Sequence, residues 1–99
     1  MRKIELDEYV LDPLMRDLVG HDHQPSAYLV YLYLWLLTER SSEDAVEISL
    51  QNLAEGTGLS KRAVQDAIGR LHKRKLIGIK RESITAVPVY SVHRPWAKR

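Results

Sequence analysis

The stretch from Ser49 to Leu76 constrains the fold most, because it contains two short helical patterns joined by a tight turn. Ser49 is predicted to cap the first helix and Ser60 the second, since a serine hydroxyl accepts a hydrogen bond from a free N–H of the first helical turn. Between them, Gly56 and Gly58 are expected to let the backbone reverse where a side chain would clash. This stretch therefore predicts a helix, a turn and a second helix.

The second of these helices has one apolar face and one basic face. Its apolar residues recur at three- and four-residue steps and are Ala63, Val64, Ala67, Ile68 and Leu71. Its polar and basic residues fall largely outside that stripe and are Lys61, Arg62, Gln65, Arg70, Lys73 and Arg74. The spacing predicts that one face packs against the core while the other faces a polyanion.

The charge of the chain is divided unevenly at Ser60. Residues 1–59 carry four Lys or Arg and eleven Asp or Glu, which gives −7, whereas residues 60–99 carry eleven and two, which gives +9. An acidic surface repels phosphate, so the basic half, which contains the second helix, is the expected nucleic-acid face.

Length and composition limit the class of protein. Ninety-nine residues are enough for one domain with a modest core, and a chain with 44% hydrophobic and 28% charged residues is expected to fold. The absence of cysteine excludes disulfides, thiolate metal sites and cysteine nucleophiles. Because Met1–Lys3 leads into acidic residues rather than an apolar run, we expect no signal peptide and a cytoplasmic location.

Two further helices are predicted before the central pair. Pro13–Val19 is predicted to form a short N-terminal helix, with Pro at its first position and Gly20 just past its end. The segment Ala27–Leu37, opened by Pro25 and Ser26, is apolar on all sides. Its eleven residues are too few to cross a bilayer, which needs about twenty, so the pattern indicates a buried core helix.

Three short strands are predicted around the central pair. Val46–Ile48 alternates and leads into Ser49, while Leu76–Lys80 and Ala86–Val92 read as a hairpin with the polar tip Arg81–Thr85. Pro88 cannot donate to a strand ladder, so we expect it at a bulge or beyond the reach of the shorter strand.

The order helix, helix, strand, helix, helix, strand, strand resembles the winged helix-turn-helix family of bacterial and phage DNA-binding domains. PSAYLVYLYLWLL resembles the family's first core helix, LQNLAEGTGLSKRAVQDAIGRL its helix-turn-helix, and KRKLIGIKR the passage into its wing. The resemblance implies a mainly α fold with a small β-sheet, made of a three-helix core, an extra N-terminal helix, and a short strand plus a two-stranded wing. The resemblance covers roughly Pro25 to Val92. We therefore expect a single domain over 1–99, with an N-terminal extension (1–24), a winged-helix core (25–92) and a basic tail (93–99).

The family resemblance also implies that the second helix enters the major groove of double-stranded DNA. Arg62 and Gln65 are predicted to read sequence, because Arg pairs in bidentate fashion with guanine and Gln with adenine. Phosphates are expected near the helix N-terminus, where free N–H groups and the helix dipole favour an anion. The predicted DNA-binding residues are Ser49, Ser60, Lys61, Arg62, Gln65, Arg70, Lys73, Lys80 and Arg81.

Two departures from the family pattern concern the wing. Lys75 stands where the family usually has Gly, and a left-handed backbone there would cost about 1 kcal/mol while adding a cation near phosphate. The tip Glu82–Ile84 is also less basic and poorer in glycine than many DNA-binding wings.

Other groups of residues favour less specific interpretations. His21 and His23 lie in a polar loop without a third ligand nearby, so no metal is predicted. Tyr28, Tyr31, Tyr33 and Trp35 are expected to pack in the core or in a dimer rather than to line a ligand pocket. No glycine-rich phosphate loop, Ser-His-Asp set or carboxylate pair in a cleft is apparent, so neither an enzyme nor a cofactor is expected.

Two classes of function remain from the sequence. The first is sequence-specific DNA binding, as a transcriptional regulator or as the DNA-binding module of a phage or plasmid replication protein. The second is a protein-interaction winged helix whose basic face docks an acidic partner. A homodimer is favoured because Tyr28, Leu32 and Trp35 form a second apolar stripe, which either the N-terminal helix or a second copy must cover.

Overall fold

The described part of the chain, residues 1–97 of the computed structural model, begins with a run of short helical segments. Helix α1 (Glu8–Leu11) and helix α2 (Pro13–Met15) are followed by a π-helical segment (Arg16–His21). The predicted helix start, with Pro13 at the first position, is confirmed, whereas the prediction of one helix that ends at Gly20 is wrong. Gly20 does not have a positive φ, and helical bonding continues past it, since the Asp22 N–H donates to the Asp17 carbonyl at 2.8 Å.

Helix α3 (Pro25–Ser41) is the central helix of the core. Its side chains at Ala27, Val30, Tyr31 and Leu34 are fully buried, which confirms the prediction of a core helix. The helix continues past Leu37 to Ser41, and within this extension the Thr38 hydroxyl donates to the Trp35 carbonyl at 2.9 Å.

The second apolar stripe of α3 is covered by the N-terminal segment. The Tyr28 hydroxyl donates to the Val10 carbonyl at 2.8 Å, and the Trp35 indole N–H donates to the Glu5 carbonyl at 2.7 Å. Tyr28 and Trp35 retain only 6% and 2% of their exposure. A second copy is not needed to cover this stripe, so the reason for favouring a homodimer no longer holds.

Helices α4 (Leu50–Thr57) and α5 (Lys61–Lys73) are joined by the turn 58–60. Both predicted caps are confirmed: the Ser49 hydroxyl accepts from the Asn52 N–H at 3.1 Å, and the Ser60 hydroxyl accepts from the Ala63 N–H at 3.0 Å. The backbone reverses at Gly58, whose φ of 79° favours glycine.

Gly56 does not take part in that reversal, contrary to the sequence prediction. It lies inside α4, where a Cβ would overlap the ring of Tyr33 on α3 and would stand 2.6 Å from its Cε2 atom. Gly56 therefore allows α4 to approach α3 closely.

The three strands form one antiparallel sheet. Strands β1 (Ala45–Glu47), β2 (Ile77–Lys80) and β3 (Val89–Val92) lie in the order β1-β3-β2. Tyr90 on β3 pairs with Val46 on one side and with Ile79 on the other. Pro88 lies just before β3, as expected, and its carbonyl accepts from the Ile48 N–H at 3.2 Å. The structure is thus a mainly helical domain with a small three-stranded sheet.

The end of the described chain packs against its beginning. The ring of Trp96 stacks on Tyr9 with 4.5 Å between centroids, and its indole N–H donates to the Asp7 carboxylate at 3.0 Å. The Arg94 guanidinium lies 4.1 Å from the ring centroid of Trp35. Residues 94–96 of the predicted basic tail therefore contact the N-terminal segment and α3, while residues 98 and 99 lie outside the described part of the chain.

Candidate nucleic-acid interface

The solvent-facing side of α5, here called the outer face, carries most of the predicted site. Lys61, Arg62, Gln65 and Lys73 are exposed, whereas Val64, Ala67 and Leu71 on the opposite side are fully buried. With a rise of about 1.5 Å per residue, the backbones of Lys61 and Lys73 are about 18 Å apart along the helix axis. The predicted division into a packed and a polar face is confirmed.

The cations of the outer face have little compensation from carboxylates. Among residues 1–97, Lys61 and Lys73 form no ion pair. Arg70 forms none either, but it is only partly exposed, and its charge helps to lower the pKa of Asp22. Arg62 lies 3.6 Å from Asp66 one turn later, and both side chains are more than half exposed, so this pair is weak and screened by solvent. The outer face therefore has a positive potential.

Arg74 does not belong to this free basic set, although the sequence pattern grouped it there. Its guanidinium forms a bidentate pair with the buried Asp22 carboxylate, at 2.9 Å from Nε and 3.0 Å from Nη2. The hydrogen bonds from Arg74 are the main cause that lowers the pKa of Asp22 to about 2. Because Arg74 follows the last turn of α5, it reaches the loop after the π-helical segment rather than solvent.

The N-termini of α4 and α5 are both well formed. Ser60 is exposed and caps α5, so the N–H groups of Lys61 and Arg62 are left without partners inside the helix. Together with the helix dipole they form a region that favours an anion. Ser49 is only partly exposed, and its side chain caps α4 beside the outer face of α5.

A groove brings three of the predicted residues together. Ser49, Gln65 and Arg81 all line a concave surface of about 370 Å³ between the start of α4, helix α5 and the β2–β3 loop (residues 81–88). The loop therefore lies beside the outer face, on the side of Gln65. Of the predicted residues, these three form one continuous surface with the loop.

Lys80 does not line that groove. It lies on β2, where it pairs with Val89. Lys80 lines a different surface, together with Ile79, Ser91 and Gly78, rather than the groove that contains Arg81. The structure does not bring Lys80 and Gln65 together.

Lys75 is a basic residue that the predicted site did not include. Its φ is 63°, so the left-handed backbone considered from the sequence is confirmed, and its exposed side chain follows directly on the end of α5. The sequence did indicate this position, because a lysine stands just after α5, where a left-handed backbone favours glycine.

The other candidate groups are structural in character. The His21 Nδ1 atom lies 3.0 Å from Asp22 Oδ1, and no cluster of three His, Asp or Glu suited to a metal occurs within residues 1–97. The Tyr31 hydroxyl donates to the His93 carbonyl at 2.8 Å, and its ring packs against Trp35. The described helices include none long and apolar enough to span a membrane.

The candidate interface thus consists of the outer face of α5, the two capped helix N-termini and the groove beside the β2–β3 loop. Its charge is positive, and its polar side chains include an amide and several cations suited to base edges and phosphates. Comparisons of the chain with models of protein families, with curated proteins and with solved structures returned no match.

Proposed function

We propose that the protein is a winged helix-turn-helix protein that binds double-stranded DNA in a sequence-specific manner. In this proposal α4, the turn at Gly58 and α5 form the helix-turn-helix, and the β2–β3 hairpin is the wing. Helix α5 enters the major groove, which is wide enough to admit an α-helix. The order of the elements and the antiparallel sheet support this assignment.

The observation that carries the proposal is the uncompensated positive charge of the outer face of α5. Two of its exposed cations, Lys61 and Lys73, lack an ion-pair partner among the described residues, and Lys75 adds a third such charge two residues after the helix. A folded domain does not need such a face, because like charges on one surface destabilise it. A phosphate backbone would neutralise the face and gain free energy from the release of counterions.

The proposed contacts follow from positions along α5. Arg62 and Gln65 lie one turn apart on the outer face, where the first two turns of a recognition helix reach base edges. Breaking the weak Arg62–Asp66 pair frees the guanidinium for guanine at little cost. Lys61 and Lys73 are about 18 Å apart, which exceeds the roughly 12 Å width of the major groove and suits phosphates on either side.

The proposed biological role is transcriptional regulation. The DNA-binding module of a replication protein would use the same face, so the bound sequence distinguishes the two roles. Selection of bound duplexes from a random library supplies that sequence. A site that recurs at promoters supports regulation, whereas sites confined to a replication origin support the replication role.

The selected duplex also tests the recognition helix directly. Arg62→Ala and Gln65→Ala are each expected to lose about 1–3 kcal/mol on that duplex and to relax its sequence preference. Lys73→Ala should weaken all sequences alike, because a phosphate contact carries no sequence information. Arg40→Ala is the matched control, since Arg40 is an exposed arginine at the end of α3. Parental affinity and preference in both Arg62→Ala and Gln65→Ala would show that α5 does not read the sequence.

Salt dependence separates DNA binding from the docking of a protein partner. About six phosphate contacts predict a slope near −5 when the logarithm of the affinity is plotted against that of the salt concentration. A largely apolar protein interface responds far less to salt. A slope near zero for the selected duplex would contradict a phosphate-based interface.

A further inference from the structure

The short helical segments before Pro25 bury one row of apolar side chains and expose a second row beside it. Every fourth residue is buried in the core, and these residues are Val10, Leu14 and Leu18. The residue after each of them is also apolar but remains exposed, and these residues are Leu11, Met15 and Val19. Because both rows have the same four-residue period, the exposed row lies along one side of residues 8–21.

This exposed row lies on the side of residues 8–21 that faces away from the C-terminal tail. Tyr9, which precedes the buried Val10 by one residue, stacks on Trp96. The ring of Trp96 also lies 6.5 Å from that of Tyr31 on α3. Leu11 follows Val10 by one residue, so it lies on the flank opposite to Tyr9 and the tail.

Two leucines of α3 extend this apolar row. Residues of an α-helix follow one another at about 100°, so Leu29 and Leu32 lie on one flank of Tyr28 and Tyr31 lies on the other. Residues 8–21 cover Tyr28 and the tail contacts Tyr31, so the two leucines lie on the same side as Met15.

Together these side chains form one apolar surface, here called the N-terminal face, which consists of Leu11, Met15, Val19, Leu29 and Leu32. The first four are between 37% and 54% exposed, and Leu32 is partly buried. Single exposed apolar residues are common, but a contiguous patch of them marks an interaction surface. The N-terminal face includes no residue of α4, α5 or the β2–β3 loop, so it stays free when the proposed DNA interface is occupied.

The charged row beside the N-terminal face is complementary to itself. Asp12 and Arg16 follow the exposed Leu11 and Met15 by one residue each, are more than half exposed, and pair with each other. In an antiparallel contact about a two-fold axis near Met15, Asp12 of each copy lies opposite Arg16 of the other. A surface that presents one acid and one base in this order selects a second copy rather than a partner of a single charge sign.

Other acids near residues 8–21 do not oppose this contact. Asp7 accepts a hydrogen bond from the indole of Trp96, and Asp17 lines a cavity together with Arg74 and Trp96. Both carboxylates therefore lie on the side of the C-terminal tail. Glu8 is exposed one turn before Asp12, at the end of the row that is farthest from the axis. The negative charge of residues 1–59 is thus not concentrated at the N-terminal face.

We propose that the N-terminal face is the interface of a weak, two-fold symmetric homodimer. Met15 lies near the axis, and Leu11 of each copy packs against Val19 of the other. The face is about 20 Å long, from fourteen residues of helical rise, and about 20 Å wide, from two adjacent helices. A footprint of about 400 Å² per copy is below the roughly 600–1,000 Å² of stable interfaces, so the expected dissociation constant is on the order of 100 μM.

Sedimentation equilibrium of the full chain tests the dimer. Between about 10 μM and about 1 mM, the average mass is expected to rise from 11.4 kDa toward twice that value. A mass that stays at 11.4 kDa over this range would overturn the proposal and leave the N-terminal face to a different protein.

Substitutions at two elements of the N-terminal face locate the contact. Met15→Glu should weaken self-association at least tenfold, because it brings two like charges together at the axis. Met and Glu have similar helix propensities and Met15 is exposed, so the melting temperature should stay near that of the parent. Leu29→Glu tests the same face from α3 and should weaken association as well.

Ile84→Glu is the matched control, since Ile84 is an exposed apolar residue on the β2–β3 loop. It should associate as the parent does. Parental association in both Met15→Glu and Leu29→Glu, or weaker association in Ile84→Glu alone, would overturn the assignment of the interface.

A charge exchange tests the two-fold arrangement. Asp12→Arg should weaken association about threefold or more, because it places two arginines opposite each other. The double variant Asp12→Arg with Arg16→Asp exchanges the charges, keeps the pair within each copy and should restore parental association. Parental association in the single variant, or no recovery in the double variant, would contradict an axis near Met15.

The dimer also predicts the form of the DNA site, and this part rests on the proposed function. Two copies related by a two-fold axis present two α5 helices, so the selected sequence should be palindromic. Binding of one copy raises the effective concentration of the other, so even a weak dimer makes binding cooperative. Met15→Glu should lose this cooperativity and keep the affinity for a single half-site. A selected site without a repeated half-site would refute this part. If no duplex binds at all, the proposed function fails, while sedimentation still decides the dimer.

Discussion

Gly69 has no structural reason to be glycine. It lies within α5 on the outer face, its φ is not positive, and among the described residues no heavy atom comes within 4 Å of the position that a Cβ would occupy. Glycine inside a helix costs about 0.5–1 kcal/mol relative to alanine. A bare backbone on the proposed interface lets the helix approach DNA closely, which is one use of glycine.

Gly69→Ala should therefore change stability and binding in opposite directions. The free energy of unfolding is expected to rise by about 0.5–1 kcal/mol, which for a domain of this size raises the melting temperature by about 2–8 °C. Duplex affinity is expected to fall about fivefold or more, because the added methyl group holds the helix away from the groove. Thermal unfolding by circular dichroism and duplex binding by fluorescence anisotropy measure the two effects.

Gly20→Ala provides the matched control. Gly20 is also exposed, lies in the π-helical segment and has no heavy atom of the described chain within 4 Å of a Cβ position. It lies outside the proposed interface, so its replacement should leave duplex affinity unchanged. If Gly69→Ala binds the duplex as tightly as the parent, the outer face does not approach DNA at this position. A lower melting temperature for Gly69→Ala would refute the conformational reasoning.

Three further substitutions test the packing and charge described above. Asp22→Asn should lower the free energy of unfolding at neutral pH by about 1–2 kcal/mol, measured by urea unfolding. Because the pKa of Asp22 is lowered from 3.8 to about 2, the parent should lose this stabilisation between pH 4 and pH 2, whereas the variant should not. Gly56→Ala should destabilise by about 1–3 kcal/mol through overlap with Tyr33, and adding Tyr33→Leu should recover part of the loss in the same assay. Lys75→Gly should raise stability by about 1 kcal/mol and reduce the magnitude of the salt slope of duplex binding by about 1; an unchanged slope would exclude a phosphate contact.

The elements that local signals define could be predicted from the sequence. Ser49, Gly58 and Ser60 determine the ends of α4 and α5 through caps and one left-handed turn, and the structure places all three as expected. The buried α3 also followed from its composition. These features depend on neighbouring residues, and such local preferences can be read from the sequence.

The features that the sequence did not reveal depend on contacts between distant segments. The neighbouring residues do not indicate that Gly56 contacts Tyr33. The sequence also does not distinguish Arg74 from the basic residues around it, because its partner Asp22 is 52 residues away in the chain. Helices α1 and α2 lack strong caps of their own, since neither has a side-chain cap hydrogen bond. Their bounds depend instead on burial of Val10 and Leu14 in the core. The groove at Tyr90 likewise exists only once α5 and the β2–β3 loop are adjacent.

The most direct test of DNA binding by α5 is a titration of the full chain with the selected duplex, followed through backbone amide resonances. Binding through α5 predicts the largest shifts at residues 60–73 and at the β2–β3 loop, with few at the acidic segment 39–47. No binding to any duplex of a random library, or shifts concentrated in residues 1–47, would contradict the assignment of α5 as the recognition helix.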